Sequence, residues 1–593
     1  MSNFTISSTG KKSGFIEGYI DNPNNASPNH LSAPSKNCFV DKTGESKTRD
    51  GYIAKGWDLA EASAEAEGFE VKRFNVVFFS LNGKVKFVDR DNSGAIVDTG
   101  LSLDTTVATT FGEYLGDIYC INTVDGLRQI HMGRVNDSAA DSGDGDITVD
   151  QDMAGRLAAF SDGSGTLRIA TSTPFTESYA SVASTGVITL SNTLNADVPD
   201  NTIVYTVEDV SGSTPFGSHL TFWKERMVIW GVVYDTGADS ATNTVYMSSF
   251  ATLSAIENVL DFNVANTAAK EMVGKGGVVI DVLATRDYIY FWTETETYFA
   301  GVADVNATTG GVPPQLLSNQ HGIIAPRCSV GISNGKILFI TPDKRIIGIG
   351  ISTETGAAVV FPIEDFDTPI RDTLKGMSSG QTPRVTYHRG GKRALFQVQV
   401  NNAWTTLVYD NEINRWQPPW ENYVFNSYFE IDGVLHATAL NDDTVYVMGS
   451  EYSDDDTVAI HTIMATGIFE FDEGRVTSEW KQVELSGTMT RPATITVEAK
   501  VNQADAINKT ISSDGLTFPT GLTIGLGGIG EDVIGGEVES QSGLANFSAR
   551  KAIYRYAGDI QFLLSTAGEG AAFSWKGYLT RARSLQNSLI TLT

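Results

Sequence analysis

Between about Gly83 and Ser450 the chain repeats one unit: a short run of alternating apolar residues, a turn of Gly, Asp and Asn, and a second such run. Lys84-Val-Lys-Phe-Val-Asp, Asp117-Ile-Tyr-Cys-Ile-Asn, Asp287-Tyr-Ile-Tyr-Phe-Trp, Gly335-Lys-Ile-Leu-Phe-Ile, Ala394-Leu-Phe-Gln-Val-Gln-Val and Gly433-Val-Leu-His-Ala-Thr are six instances. Alternation with β-branched and aromatic residues reads as strand, because successive side chains of a strand point to opposite faces. The copies recur at irregular spacings of roughly 40–50 residues, which predicts the blades of a β-propeller carrying insertions.

A chain of 593 residues can hold several cores, so two to four domains are expected. Its 58 Gly, 29 Phe and 20 Tyr favour turns and strands over helices, and a mostly-β protein is predicted. Residues 1–60 are too poor in apolar side chains to form a core of their own and read as an extended arm. Asp58-Leu-Ala-Glu-Ala-Ser-Ala-Glu-Ala-Glu predicts a short helix from its good helix formers. Residues 61–135 read as the first part of the propeller and 216–452 as its remainder. Residues 136–215, with Thr166-Leu-Arg-Ile-Ala, Gly186-Val-Ile-Thr-Leu and Ile203-Val-Tyr-Thr-Val in a different rhythm, read as an inserted β subdomain. In residues 453–593, Ile495, Val497, Ala499 and Val501 alternate with Thr496, Glu498 and Lys500, and Ala572-Phe-Ser-Trp-Lys-Gly-Tyr-Leu behaves alike. One-sided strands need a second sheet to cover them, so a C-terminal β-sandwich-like domain is predicted, with Gly521–Gly530 as a long loop.

No apolar run approaches the roughly 18–20 residues that span a bilayer, and the start lacks the apolar core of a secretory signal. Synthesis in a cytoplasm is expected. Cys38, Cys120 and Cys328 are scattered and odd in number, which suggests neither a disulfide framework nor a zinc site; buried small hydrophobes are expected. The formal charge of −28, from 71 acids against 43 bases, opposes tight nonspecific binding to nucleic acid, since no excess of cations exists to release counterions. It suits a solvated surface, and equally an acidic wall that repels phosphate and leaves a polymer free to slide.

Phe222-Trp-Lys-Glu-Arg-Met-Val-Ile-Trp, Val245-Tyr-Met-Ser-Ser-Phe, the run from Asp281 to Phe299, and Gln320-His-Gly-Ile-Ile-Ala-Pro-Arg follow in order. This succession resembles the tail nozzle proteins of short-tailed bacteriophages, also described as packaged-DNA stabilisation or head-completion proteins. The likeness extends over roughly 370 residues, through Asp410-Asn-Glu-Ile-Asn-Arg-Trp, Ile511-Ser-Ser-Asp-Gly-Leu-Thr-Phe and Tyr578-Leu-Thr-Arg-Ala-Arg. The 136–215 insertion has no counterpart in it. The resemblance implies a virion protein in the phage tail, six copies in a ring below the portal and its adaptor, enclosing the DNA exit channel. Implied neighbours are the portal-adaptor and tail fibre or needle proteins, with genomic DNA passing through the lumen without sequence-specific binding.

Asp141, Asp144, Asp146, Asp150 and Asp152 place five carboxylates in twelve residues, but Gly143 and Gly145 occupy ligand positions of an EF-hand loop and no Glu closes it. A solvated acidic turn is expected there, and an exposed linker at Asp454, Asp455 and Asp456; either group is a candidate for acids facing a lumen. Arg286, Arg327, Arg345 and Arg371 are candidate interface cations, because basic residues are scarce. Ser512-Ser-Asp-Gly-Leu-Thr-Phe approximates a sialidase Asp-box turn with one residue missing and reads as a hairpin turn. His131, His321 and His436 show no metal-ligand spacing, and no nucleophile elbow, Walker loop or dinucleotide fingerprint appears. Catalytic, cofactor-binding and metal residues are therefore not assigned. The other readings are a glycan- or receptor-binding propeller of a phage tail, with Trp404, Trp416 and Trp420 as stacking platforms if they are not core, and a glycoside hydrolase with paired carboxylates.

Overall fold

The computed structural model describes residues 3–7, 15–512 and 545–584, apart from 28, 62–65, 93, 138–139, 161–163, 172, 184, 211–213, 233–241, 253–254, 265, 274–276, 307, 334, 353–358, 441, 450–453, 471–477, 491–493, 503–504, 558 and 567–572. The protein is mostly β. Among the described residues, seven sheets succeed one another along the chain, antiparallel but for the Asp455–Tyr52 pairing in the last, beginning with the strands Glu67–Val71, Thr110–Tyr114, His219–Trp223, Asp281–Ala284, Ser329–Gly331, Arg384–His388 and Ser427–Ile431. These seven first strands are the inner edges of the blades. In blades two and four to seven, the runs singled out by their alternation are the second strands, such as Asp117–Asn122 and Arg393–Val400; Lys84–Asp89 is instead the third strand of blade one. Second strands are flanked by sheet on both sides and by neighbouring blades on both faces, so they carry the densest apolar code; Ile337–Ile340 is buried at every position.

No sheet closes on itself; the blades close as a ring. Phe69 of blade one stacks on Phe111 of blade two at 6.0 Å, and Thr110 Oγ1 donates to the Ser218 carbonyl of blade three at 3.2 Å. The Ser329 hydroxyl of blade five donates to Asp281 of blade four at 2.7 Å, and the Val385 amide of blade six donates to the Arg327 carbonyl at 3.1 Å. Blade seven returns to blade one through the Gly68 amide on Ser427 Oγ at 2.9 Å and the Asn426 side-chain amide on the Ala66 carbonyl at 2.8 Å. A Cβ at Gly68 would lie 2.4 Å from the Phe429 ring, so this seam admits no side chain there.

Blade two is enlarged. Its third strand, Gly126–Arg134, pairs with Ile203–Asp209, and between the two lie the helix Gln151–Phe160 and four strands that extend the blade to an eight-stranded sheet. This insertion has its own core, including Ile147, Met153, Leu157, Leu167 and Ile188. Its helix is tied back by Arg156, whose guanidinium donates to Asp117 at 2.8 Å, Asp152 at 2.8 Å and the Met132 carbonyl at 2.5 Å.

Past the propeller, two antiparallel sheets face each other as a sandwich. Ser478–Met489, Ala545–Ala557 and Phe573–Ser584 belong to one; Thr462–Ala465, Thr494–Val501, Asp505–Ser512 and Asp559–Thr566 belong to the other. Ile495, Val497 and Ala499 are buried between the sheets with Leu485, Phe562, Trp575 and Tyr578, as alternation requires.

Among the described residues of the first sixty, no separate core forms; residues 15–54 run as a strap whose apolar side chains, Phe15, Tyr19, Leu31, Cys38 and Val40, are buried in the cores of other parts. Asn3–Ser7, Cys38–Val40 and Ser46–Thr48 complete the first sheet of the sandwich. Gly51–Ala54 pairs with Val445–Gly449 and so covers the last strand of the last blade. Phe15, Leu31, Cys38 and Val40 have no exposed surface and join Trp416, Phe339 and Trp575 in a single cluster running from blades four to six into the sandwich. The helix expected at Asp58–Glu67 is absent among its described residues: Ala60 takes a left-handed φ of 56°, its amide held by the Asp58 carboxylate at 2.9 Å, and Leu59 is fully buried. A local turn and one buried side chain outweigh helix propensity here.

The strap is pinned by a buried ion pair. Arg49 and Asp455 meet through both guanidinium ends, with Nη1 2.7 Å from Oδ1 and Nη2 on Oδ2. The other three N–H groups reach Asn37 Oδ1 and the carbonyls of Asp50 and Glu421 at 3.0–3.2 Å, so all five donors are satisfied. Removing one partner strands the other in the interior. Asp455→Asn is expected to cost about 3–5 kcal/mol in chemical denaturation, and more than replacing Arg49 and Asp455 together by apolar residues; an equal or smaller loss would show that the pair is dispensable.

Candidate functional site

The inner strands converge on the propeller axis, and the chemistry-bearing side chains meet there. Arg327 lies just before the first strand of blade five with a left-handed φ of 61°, a conformation that costs a non-glycine residue about 1–2 kcal/mol. Its guanidinium crosses the axis: Nη1 donates to Glu67 Oε1 of blade one at 2.6 Å, and Nη2 to Thr110 Oγ1 of blade two at 3.2 Å. Its backbone amide donates to the buried Asp281 carboxylate of blade four. Arg384, from blade six, donates to Asn426 Oδ1 of blade seven at 2.5 Å. Arg327 thus gathers Glu67, Thr110 and Asp281 of blades one, two and four, and the Arg384–Asn426 pair joins blades six and seven beside them.

A cavity of about 250 Å³ opens in front of Arg327, bordered by Glu67, Phe69, Thr110, Phe111, Arg384, Thr386, Asn426, Ser427 and Tyr428. A second space of about 260 Å³ shares Glu67, Arg384 and Asn426 and continues beside the Asp104–Thr109 connection. The Arg327 bridge from blade five to blades one and two spans the axis of the ring. That axis is no passage for a duplex.

Burial pushes the Asp281 carboxyl up to about 7; the Ser329 hydroxyl, the backbone amides of Arg327 and Val282 and the Arg327 charge only partly offset it. His131, fully buried in blade two, goes the other way: Asp117, 3.0 Å away, and Glu208 outweigh desolvation and lift it to about 9. His436 is held down at about 4 by burial. These are satisfied or neutral core histidines.

Of the candidate interface cations, three are turned inward. Arg345 clamps the fully buried Asp367 through Nε at 2.7 Å and Nη2 at 3.0 Å, and Arg371 adds a third contact to the same carboxylate at 2.8 Å. With Arg327 on the axis, these residues hold elements of the one chain together. Arg286, at the turn between the first two strands of blade four, is exposed and has no ion pair among the described residues.

The acids divide likewise. Asp141, Asp144 and Asp146 lie in the exposed entry to the insertion, where Asp144 accepts the Asp141 amide at 2.9 Å as an ordinary turn does, and Asp146 opens the strand Asp146–Thr148. Asp454 and Asp456 are half-buried, but Asp455 is 4% exposed and departs from the exposed linker expected there. The reason is Arg49, 406 residues away in sequence. No group of His, Cys, Asp or Glu converges as a metal-binding set among the described residues. Trp416 and Trp420 are core, their indole N–H groups donating to the carbonyls of Phe366 at 2.9 Å and Cys38 at 3.0 Å; Trp404 is half-buried. Trp416 also backs a cleft of about 580 Å³ with Tyr19, Phe366 and Tyr409. Cys38, Cys120 and Cys328 are free and buried. The Asp-box-like turn and the Gly521–Gly530 loop lie outside the described residues, apart from Ser512. No described helix is long and apolar enough to cross a membrane.

Sequence reasoning missed the axial assembly of Glu67, Asp281, Arg384 and Asn426. Each sits at or beside the start of a blade's first strand, a shared position that no local motif marks.

No protein-family model matches the chain, and no curated protein is similar to it. Among solved structures it is similar to the Cps50 (Swd1) β-propeller domain of Myceliophteria thermophila, at 7% identity, covering 64% of this chain and 95% of that one, with a TM-score of 0.31. It is also similar to Hsv2 of Kluyveromyces lactis, at 9% identity over 60% and 97% of the two chains with a TM-score of 0.26. A third is an exo-β-1,3-galactanase from Phanerochaete chrysosporium, at 8% identity over 61% and 94% with a TM-score of 0.21. Likeness at this level says nothing of what the chain binds or does; the order of strands around the axis defines the propeller.

Asp281 carries a pH test. Its folded-state pKa is raised, so its contribution to stability is fully present below the unfolded value near 3.9 and is lost as pH rises through about 7. The slope within that window is at most about 1.4 kcal/mol per pH unit. Asp281→Asn keeps an acceptor for Ser329 and removes the titration. Thermal denaturation is expected to show the variant matching wild type near pH 4 and exceeding it near pH 8; a constant difference across this range would contradict the assignment.

Proposed function

We propose that this protein is a structural virion subunit, the tail nozzle or hub of a short-tailed bacteriophage, assembled as a ring of six below the portal and its adaptor. The observation that carries the reading is mechanical. A strap of about forty residues is shared between the propeller and the sandwich, and one apolar cluster runs through all three. A subunit built this way resists shear between its parts, as a conduit under internal pressure must. The order of motifs from Leu220 to Gln320 supports it independently. Because Arg327 bridges the blade axis, the channel of the assembly lies between copies, and the net charge of −28 gives its wall a sign that repels phosphate. The chain then retains packaged DNA by closing the ring and conducts it at ejection without holding it. Arg286 is the cation left open to reach a neighbouring copy, tail fibre or needle protein.

Electron microscopy and native mass measurement of the purified protein, alone and with a portal adaptor, test this directly. A closed ring with an open centre, and no duplex binding at physiological salt, are expected. Monomers under all conditions, or tight DNA binding that weakens steeply with salt, would count against it.

A further inference from the structure

Where the strap crosses blades five and six, it leaves the cleft of about 580 Å³. Ile20 of the strap, Ile363 and Pro369 at and beyond the outermost strand of blade five, and Arg415 at the start of the last strand of blade six wall it. Its aromatic floor is already packed. The Phe366 ring lies 4.6 Å from Tyr409 and 5.5 Å from Trp416, whose indole N–H is spent on the Phe366 carbonyl. The open apolar surface belongs to Ile20, Ile363 and Pro369, each half-buried.

Arg415 is exposed, and the strap fixes its stem: a Cβ at Gly18, which has a left-handed φ of 79°, would lie 2.8 Å from Arg415 Cβ. Of its five N–H donors, one meets the Asn414 carbonyl at 3.0 Å, and the rest have no partner among the described residues. Burial holds the His30 ring below its usual range, with Glu17 opposing and Arg415 adding to the depression; burial lifts the Tyr409 hydroxyl to about 12 against the pull of Arg415. The Arg415 charge therefore reaches groups on both the strap and blade six. The other charged groups of the wall are occupied. Glu17 accepts the Ser27 hydroxyl at 2.5 Å and lies 3.1 Å from His30, Asp365 is 3.7 Å from Arg371, and Lys336 has a partner of its own.

A planar guanidinium with spare donors matches a carboxylate, which accepts two parallel N–H bonds. Aliphatic surface beside it matches a hydrocarbon body on the same ligand. Two carboxylates in the wall, Glu17 and Asp365, disfavour a second negative charge. Pro362 lies within Val359–Ile363 and has no N–H to donate, so this blade edge is blunted against an added strand and the occupant is held by side chains. About 580 Å³ falls in the ordinary range for small-molecule sites. The other spaces offer no such spare charge: beside blade one, Arg134 is paired with Asp89 at 3.1 Å and Asp91 at 2.9 Å, and on the axis Arg327 holds Glu67 while Ser427 Oγ accepts the Gly68 amide. We infer that the cleft between strap and blades five and six binds an amphipathic monocarboxylate, its carboxylate on Arg415 and its hydrocarbon body against Ile20, Ile363 and Pro369. The inference does not depend on the nozzle reading, since the cleft lies within a single chain.

Calorimetry and saturation-transfer NMR on the full chain test it, with hexanoate and 3-phenylpropionate against acetate, hexanamide and inorganic phosphate. At least one of the two larger carboxylates is expected to bind at millimolar concentration or below. Affinity is expected to rise from acetate to hexanoate by up to about fourfold per added methylene, and hexanamide, which has the same body without the charge, is expected to bind about tenfold more weakly or worse. Arg415→Gln keeps the stem against Gly18 and removes the charge; it is expected to bring hexanoate down to the level of hexanamide. Should that variant fail to fold, the ligand series on the unaltered protein decides. No binding of either larger carboxylate, equal binding of acetate, hexanamide or phosphate, or unchanged binding in the folded variant would each overturn the assignment.

Discussion

The last blade of the propeller is finished by the beginning of the chain, and the rest of the architecture depends on that closure. Without Gly51–Ala54 the strand Val445–Gly449 would be an open edge, with unpaired amides and carbonyls facing water. The strap that supplies this strand is held by two constraints. Arg49 and Asp455 satisfy each other in the interior, and Gly51 passes so close to the Asp454 carbonyl that a Cβ would fall 2.0 Å from its oxygen. One places a charge where only its partner can balance it. The other leaves no room for a side chain.

From that closure two consequences follow. The ring of blades is locked at its seam, so its axis can hold side chains in exposed but fixed positions, Arg327 among them. The same strap then feeds Cys38–Val40 and Ser46–Thr48 into the sandwich, so the second body is joined to the first by shared strands and core. Stiffness in this molecule is a matter of topology as much as of packing. A chain so built suits the load-bearing role proposed for it.

What the sequence made legible was local. Alternation located the second strands of five blades and the buried face Ile495, Val497 and Ala499, since period two survives wherever one face meets a core. The strap was not legible as core, because Phe15, Tyr19, Leu31 and Val40 are separated by Pro, Asn and Ser and are buried against residues hundreds of positions away. For the same reason Asp455 read as part of an acidic linker: its character is set by Arg49, and nothing near it in the chain carries that information. Arg345 and Arg371 read as interface cations because basic residues are scarce; their partner Asp367 is one acid among many until the fold buries it. The axial cluster escaped detection because it is assembled from one or two residues per blade.

Native-state hydrogen exchange on the unaltered protein probes the strap most directly, by comparing the opening free energies of amides in Gly51–Ala54, Val445–Gly449, Thr494–Val501 and Phe573–Ser584. If the strap makes propeller and sandwich one body, these amides are expected to open together, at a single high free energy. Exchange of the sandwich strands at a free energy well below that of blade seven would contradict it.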